Sequence, residues 1–119
     1  METEQLLHLI LGITEEFKAL DPKVLRVTEV CSFADYFVFV SGTSSRHIKS
    51  IAEELILKCK HIDEAPLNVE GLDAGEWCLL DFGSVIVHVF DQDKRTHYNL
   101  EDLWSEAEEV RMSQEKSEA

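Results

Sequence analysis

Two side chains in the second half of the chain have the chemistry of an acid–base pair. Asp81 ends one β-rich run and His88 lies within the next, so a hairpin between the runs could bring carboxylate and imidazole together. Such pairs activate a hydroxyl or thiol nucleophile. No serine or cysteine stands in a recognisable triad arrangement with them, and a lone histidine in a strand is more often structural. We therefore predict no catalytic residues here.

A second pattern is typical of phosphate chemistry. Ser41-Gly42-Thr43-Ser44 separates an apolar run from a segment whose apolar residues have helical spacing. Backbone amides at the start of a helix can hold an anion. The same passage opens the nucleotidyltransferase fold, whose chemistry needs carboxylates that converge on divalent metals. Here Glu53 and Glu54 are adjacent and lie in this helical segment, so they cannot share a metal as alternate strand residues do. A nucleotide-binding module without catalysis remains an alternative.

The other reactive groups predict neither an enzyme nor a metal or cofactor site. Cys31, Cys59 and Cys78 lie far apart and have no zinc-ligand spacing, so we expect buried thiols. Asp81-Phe82-Gly83 spells the metal-binding triplet of protein kinases, but the other kinase motifs are missing. We interpret this tripeptide as the turn of a hairpin.

Trp77 is the main candidate for partner recognition. It alternates with Leu79 and Asp81, which predicts one strand face for these three side chains and the opposite face for Cys78 and Leu80. Interfaces use a few aromatic and aliphatic anchors within a polar rim. The preceding loop offers an acidic rim of Glu70, Asp73 and Glu76, which Asp81 completes. A role of the tryptophan in the core is the alternative.

The net charge of −13 favours a basic protein as the partner. Nucleic-acid backbones would be repelled, because binding them requires Lys and Arg to neutralise phosphates. No window has the roughly 18 apolar residues of a membrane span, and the first residues are acidic, unlike a secretory signal. We expect a cytoplasmic protein that binds neither membrane nor nucleic acid directly.

The elements that must position these residues follow from apolar periodicity, in the order α, β, β, α, β, β, β, α. The pattern predicts a first helix from an N-cap at Thr3 to Leu20, before Pro22, and then a strand over 24–30. The apolar run 36–40 is typical of a central strand covered on both faces. A second helix follows the turn at Gly42, capped by Thr43 or Ser44. Short strands are predicted at 67–69, 77–81 and 85–90.

The C-terminal part is predicted to contain a last helix capped by Asn99, which His97 and Tyr98 precede. The acidic residues of 101–119 are typical of a solvated helix face or a frayed tail. We predict one domain over residues 1–110 and a flexible acidic tail over 111–119.

These motifs, taken together and in order, resemble the ribosomal silencing factors, also called the RsfS or iojap family. The resemblance covers nearly the whole domain and is carried by Ala34-Asp35-Tyr36-Phe37-Val38, Ser41-Gly42-Thr43-Ser44, Arg46-His47, Ile51-Ala52, Glu70-Gly71, Trp77, Leu79-Leu80-Asp81-Phe82-Gly83, Val87-His88-Val89-Phe90 and Tyr98-Asn99-Leu100-Glu101-Asp102-Leu103-Trp104. Ser84 departs from the family, which often has an acidic residue there.

The resemblance implies an α/β (α+β) fold with a mixed sheet of about five strands, related in shape to nucleotidyltransferases without their catalytic carboxylates. It implies a non-enzymatic protein that binds the basic β-barrel protein L-fourteen of the large ribosomal subunit. Docking there would block joining of the small subunit and repress translation when nutrients are scarce. A role in large-subunit assembly is the alternative, and an exposed Trp77 surface also allows a homodimer of the free protein.

The same resemblance implies a set of partner-binding residues. Trp77 and Leu79 would be apolar anchors, and Glu70 and Asp81 would face basic groups. The remaining family positions have roles that are assigned less directly: Gly71, Asp35, Tyr36, His88 and Tyr98.

Overall fold

A computed structural model describes residues 2–98 and 108–110. The elements in chain order are α1 (Thr3–Glu16), β1 (Leu20–Arg26), β2 (Tyr36–Gly42), α2 (Ser45–His61), β3 (Asn68–Glu70), β4 (Trp77–Asp81), β5 (Val85–Asp91), α3 (Gln92–Tyr98) and β6 (Glu108–Val110). No helix within these ranges is long and apolar enough to cross a membrane.

The strands form one mixed sheet with the order β3-β4-β5-β2-β1-β6. The central strands β2 and β5 run parallel to each other, and the other four pairings are antiparallel. The predicted α/β class and mixed sheet are confirmed, and all five predicted strands are present. The sixth strand, β6, was not predicted.

The two faces of the sheet bury different side chains. Helices α1 and α2 pack on one face, where they cover alternate residues of β2, β4 and β5; we call it the helix face. The opposite face carries closely spaced rings and packs against Val27, Cys31 and Ala34 of the loop after β1. We call it the aromatic face and define it by Phe37, Phe39, Trp77, His88 and Phe90. Strand β2 is buried along its whole length, as predicted for a strand covered on both sides.

The junction between β2 and α2 brings the chain close to itself. Ser44 is the N-cap of α2, and its Oγ accepts a hydrogen bond from the backbone N–H of His47 at 3.1 Å. A Cβ on Gly42 would lie 2.8 Å from Cγ1 of Ile48. The predicted cap is confirmed, and the glycine is needed for this close approach of the helix.

The predicted hairpin of β4 and β5 is also confirmed. Its turn contains Gly83 with a φ of 89°, a backbone conformation that glycine adopts without strain. The Asp81 carboxylate accepts a hydrogen bond from the Gly83 N–H at 2.8 Å. The tripeptide that resembles a kinase motif is therefore a turn, and the hydrogen bond from the glycine N–H to the aspartate carboxylate stabilises it.

The boundary between the first helix and the first strand was predicted wrongly. The N-cap of α1 is Glu2, so the predicted cap at Thr3 is wrong. The helix ends at Glu16, because Lys18 adopts a left-handed φ of 61°. Leu20 therefore begins β1 instead of ending the helix. Pro22 lies inside the strand, where an irregular register between Leu20 and Lys23 accommodates a residue that cannot donate a backbone hydrogen bond.

Strand β1 also ends earlier than predicted. The backbone N–H groups of Val30 and Cys31 both bond to the carbonyl of Val27, at 3.1 and 2.8 Å. This local turn competes with strand pairing, and β-rich composition alone does not reveal it. Residues 27–30 therefore belong to the loop that covers the aromatic face.

The C-terminal predictions need two corrections. His97 and Tyr98 lie within α3, a helix that was not predicted. The segment 108–110 is a strand that pairs with β1, so a helix face or frayed tail over 101–119 is wrong at these residues. The predicted helix that begins at Asn99 and the tail 111–119 lie outside the described residues.

Candidate functional site

The candidate site begins with the alternation of strand β4. Its burial alternates residue by residue. Cys78 and Leu80 are fully buried on the helix face, and Trp77 and Leu79 pack against the aromatic face. Asp81 has the same parity as Trp77 and is half-buried. The predicted division of this strand between two faces is confirmed.

Strand pairing then aligns other candidate residues with Leu79. Glu70 of β3 lies opposite Leu79, and His88 of β5 lies opposite Leu79 on its other side. The next partner in the row is Phe39 of β2. The sheet thus places Glu70, Leu79 and His88 in one row across the aromatic face, with Trp77 and Asp81 in the rows on either side.

Trp77 is packed against neighbouring rings and is also partly accessible. Its ring lies 5.5 Å from that of Phe90 with an interplanar angle of 20°, and its Nε1–H donates a hydrogen bond to Nδ1 of His88 at 3.2 Å. The side chain is nevertheless only half-buried. One part of the indole therefore belongs to the packed face, and another part is accessible.

His88 is a buried residue and not an acid–base partner of Asp81. Only 6% of its surface is exposed, and burial lowers its pKa to about 4. Leu79, and not Asp81, lies opposite it. The imidazole is therefore neutral at pH 7, and the pair considered from the sequence is not formed.

The loop between β3 and β4 presents carboxylates at one edge of this surface. Glu70 and Asp73 are exposed. Glu76 forms an ion pair with Lys94 of α3, which reduces its share of the acidic field. The acidic rim of the loop therefore consists mainly of Glu70 and Asp73.

Gly71 shapes this loop. Its φ is 80°, and a Cβ there would lie only 2.0 Å from the backbone carbonyl oxygen of Trp77. Any side chain would push the acidic loop away from β4. Gly71 thus supports the surface through the backbone.

The remaining candidate residues belong to parts of the chain other than β3, β4 and β5. Tyr36 is buried on the helix face, and its hydroxyl lies 3.3 Å from Oε2 of Glu4. Asp35 is half-buried in the loop before β2 and donates its backbone N–H to the carbonyl of Ser84 at 2.8 Å. Tyr98 is the last residue of α3, and its side chain lies outside the described part of the chain.

One exposed aromatic residue was not singled out from the sequence. Phe33 is 64% exposed, and its ring lies 6.3 Å from that of Phe37. It therefore extends the aromatic face beyond the sheet. A large aromatic residue in a turn segment was the available signal.

The carboxylates and thiols considered from the sequence form neither a metal site nor a reactive cysteine site among the described residues. Glu53 and Glu54 lie on α2 as predicted, and no group of three or more metal-binding side chains occurs among the described residues. All three cysteines are free and buried, as predicted. Burial raises the pKa of the Cys78 thiol to about 11, and burial together with Glu64 raises that of Cys59 to about 11. These thiols are therefore protonated at pH 7 and poor nucleophiles.

Comparison with known proteins gives a consistent result. A family model described as "Ribosomal silencing factor during starvation" matches residues 1–119. The chain is 33% identical over 112 residues to the ribosomal silencing factor of Halalkalibacterium halodurans, a match that covers 94% of this chain and 96% of that protein. It is 32% identical over 102 residues to the mouse protein named mitochondrial assembly of ribosomal large subunit protein 1, covering 83% of this chain and 45% of the mouse protein.

The fold is also found in solved structures. A crystal structure of a protein from Chromobacterium violaceum superimposes with a TM-score of 0.85 at 30% sequence identity. The superposition covers 88% of each chain.

Proposed function

Because the chain belongs to the ribosomal silencing factor family, we propose that it docks on the large ribosomal subunit and blocks joining of the small subunit. The docking partner would be the basic β-barrel protein L-fourteen. The proposed site is the accessible part of Trp77 with Leu79, Asp81 and Glu70, which we call the docking surface. The protein would act in the cytoplasm and repress translation when nutrients are limiting.

One observation carries the choice of this surface. Trp77 and Leu79 are only half-buried, whereas the other rings that define the aromatic face are buried. Half-buried aromatic and aliphatic groups can bury their remaining area against a partner, and tryptophan is enriched among the residues that dominate binding energy. Their position beside exposed carboxylates supports a partner with a basic surface.

The proposed mechanism is steric and requires no chemical step. A protein that occupies the subunit interface excludes the small subunit to the extent that its concentration exceeds its Kd, by mass action. The neutral His88 and the protonated thiols of Cys59 and Cys78 are consistent with a function that involves no turnover. We therefore propose a regulatory protein that is not an enzyme.

The test combines subunit joining with a matched pair of variants. Purified large and small subunits are mixed with the protein and separated on sucrose gradients, and we expect fewer joined ribosomes. Trp77→Ala should weaken binding to isolated L-fourteen by roughly 30-fold, the effect of about 2 kcal/mol at a dominant interface residue. Leu57→Ala is the control, because Leu57 is 62% exposed on α2, away from the docking surface.

Two outcomes would contradict the proposal at different levels. Unchanged subunit joining in the presence of the wild-type protein would exclude the silencing function. Equal affinities of Trp77→Ala and Leu57→Ala would show that the docking surface is wrong, even if the protein silences ribosomes.

A role in large-subunit assembly is the second candidate. It is supported by the name of the mouse relative, which refers to assembly of the ribosomal large subunit. Assembly predicts that depletion of the protein causes immature large subunits to accumulate during growth. Silencing predicts that depletion leaves the large subunits normal and increases the fraction of joined ribosomes under starvation.

The docking surface also offers a contact for a second copy of the chain. A homodimer of the free protein that uses this surface would have to open before docking. Sedimentation velocity over a range of concentrations would detect such a dimer. Trp77→Ala should then dissociate the dimer, whereas Leu57→Ala should not.

A further inference from the structure

His88 lies beneath the docking surface and contributes almost nothing to its area. Its side chain is 6% exposed, whereas Trp77 and Leu79 on the neighbouring strand are half-buried. A partner that approaches the aromatic face can therefore touch the indole but not the imidazole. Any effect of His88 on docking must pass through another residue.

The surroundings of His88 hold its ring in one plane. The imidazole stacks on Phe39 at 4.9 Å with an interplanar angle of 12°. It is nearly parallel to Phe90, at 6.0 Å and 9°, and Phe37 meets it edge-on at 5.6 Å. Each of these rings belongs to one of the two central strands, β2 and β5. The imidazole is thus a rigid platform.

The hydrogen bond from Trp77 requires one form of this imidazole. Nδ1 accepts the indole N–H, so it carries no proton. Burial supports the same form, because it lowers the pKa of His88 to about 4. At neutral pH the platform therefore presents a fixed acceptor to β4.

Stacking alone would not determine which edge of the indole faces the partner. The last torsion of a tryptophan side chain is broad and roughly two-fold, so a ring stacked on Phe90 could turn over and remain stacked. Only one of the two orientations directs Nε1 at Nδ1 of His88. The hydrogen bond therefore selects one orientation of the accessible part of the indole.

We infer that His88 is a positioning residue, which presets the orientation of Trp77 for the docking partner and does not itself contact that partner. This inference rests on the proposed function for its binding consequence. Its structural part concerns the free protein alone. Presetting a side chain favours binding because less rotational freedom is lost when the complex forms.

Three substitutions separate positioning from packing. His88→Phe fills the space between the neighbouring rings but removes the acceptor. His88→Asn retains an acceptor, because its amide oxygen can replace Nδ1. Trp77→Phe removes the donor and keeps an aromatic ring. Circular dichroism and thermal unfolding establish that each variant is folded.

Affinity for isolated L-fourteen provides the first readout. His88→Phe should weaken binding roughly twofold, because about half of the indoles would then have the orientation that does not bind, and His88→Asn should restore most of that loss. In the Trp77→Phe background, His88→Phe should have no further effect, because the two changes remove the same interaction. A roughly twofold loss that persists in this background would overturn the inference.

Nuclear magnetic resonance of the free wild-type protein provides the second readout and does not depend on any partner. The Nε1–H signal of Trp77 is identified by its loss in Trp77→Phe. We expect a scalar coupling between this nitrogen and Nδ1 of His88 across the hydrogen bond, and slow exchange of the proton with water. A freely exchanging indole proton without the coupling would overturn the inference. If the coupling is present but the wild type does not bind L-fourteen, the proposed function fails and the positioning stands.

Discussion

At the scale of single residues, the aromatic face places a titratable group where charge is strongly disfavoured. His88 is enclosed by Phe37, Phe39, Phe90 and Trp77. Protonation would put a cation in this apolar setting and convert Nδ1 from an acceptor to a donor. It would therefore remove the acceptor that Trp77 uses. The free energy of unfolding should therefore decrease in mildly acidic solution.

We predict that His88 makes the free energy of unfolding fall as the pH drops from about 6.5 to about 4. In this window the unfolded histidine binds a proton and the folded one does not, because burial lowers the folded pKa to about 4 from an ordinary value of 6.5. The loss should reach at most roughly 3 kcal/mol. Urea unfolding at a series of pH values measures it. The slope should decrease more in His88→Asn than in His8→Gln, because His88 is buried and His8 is exposed; equal slopes in both variants would contradict the prediction.

At the scale of elements, the start of α2 is held by several side-chain contacts. Ser44 caps the helix. The His47 imidazole accepts the Thr43 N–H at 2.9 Å through Nδ1, and its Nε2 donates to the Phe17 carbonyl at 2.8 Å. One histidine thus ties the end of α1 to the turn before α2. These contacts fix how the two helices meet on the helix face.

We expect Ser44→Ala to lower the free energy of unfolding by about 1 kcal/mol, because the His47 N–H would lose its acceptor at the helix start. Ser50→Ala is the matched control, since Ser50 is an exposed residue inside the same helix. It should leave stability unchanged or raise it slightly, as alanine has the higher helix propensity. Denaturant unfolding measures both variants. A loss of similar size in Ser50→Ala would argue against the capping role.

An element whose residues follow one strong pattern could be predicted from the sequence. An element or boundary whose residues fit more than one pattern could not. The alternation of Trp77, Leu79 and Asp81 gave the two faces of β4, and the apolar run of β2 gave a central strand. The end of α1 was missed because Phe17 and Leu20 continue the helical spacing, whereas a left-handed Lys18 ends the helix. Strand β6 was missed because its three residues have an ordinary acidic composition and depend on pairing with β1.

The candidate site was predictable only in part for a related reason. Spacing within β4 placed its three residues on one face, and the resemblance named Glu70 and His88, but only the pairing of distant strands reveals that both lie opposite Leu79. The resemblance to a family named Tyr36 together with Trp77, although the two lie on opposite faces of the sheet. Family positions therefore include residues that build the fold as well as residues on its surface.

At the scale of the whole molecule, charge and shape act together on association. The net charge is −13, and exposed carboxylates such as Glu70 and Glu53 lie on different sides of the protein. A field of one sign raises the rate of encounter with a basic partner and is weakened by salt. The apolar anchors of the docking surface should mainly affect the dissociation rate.

We predict that the rate constant for association with L-fourteen falls at least roughly tenfold between low salt and about 0.5 M salt. Glu70→Lys should reduce the low-salt rate more than Glu53→Lys, although both change the net charge equally, because Glu70 adjoins the docking surface and Glu53 lies on α2. Stopped-flow measurements over a salt series test this. Equal rates for the two variants would show that attraction is global and that Glu70 has no local role.

The order of strands in the sheet has a consequence for aggregation. The apolar runs of β2 and β5 have the β-branched and aromatic composition that forms cross-β fibrils when exposed. In the folded protein each is paired on both sides, so its backbone offers no template to another chain. The strands at the two edges, β3 and β6, are only three residues long, and short edges recruit foreign strands poorly. The arrangement that displays Trp77 near one edge thus keeps the most fibril-prone segments of the chain in the interior of the sheet.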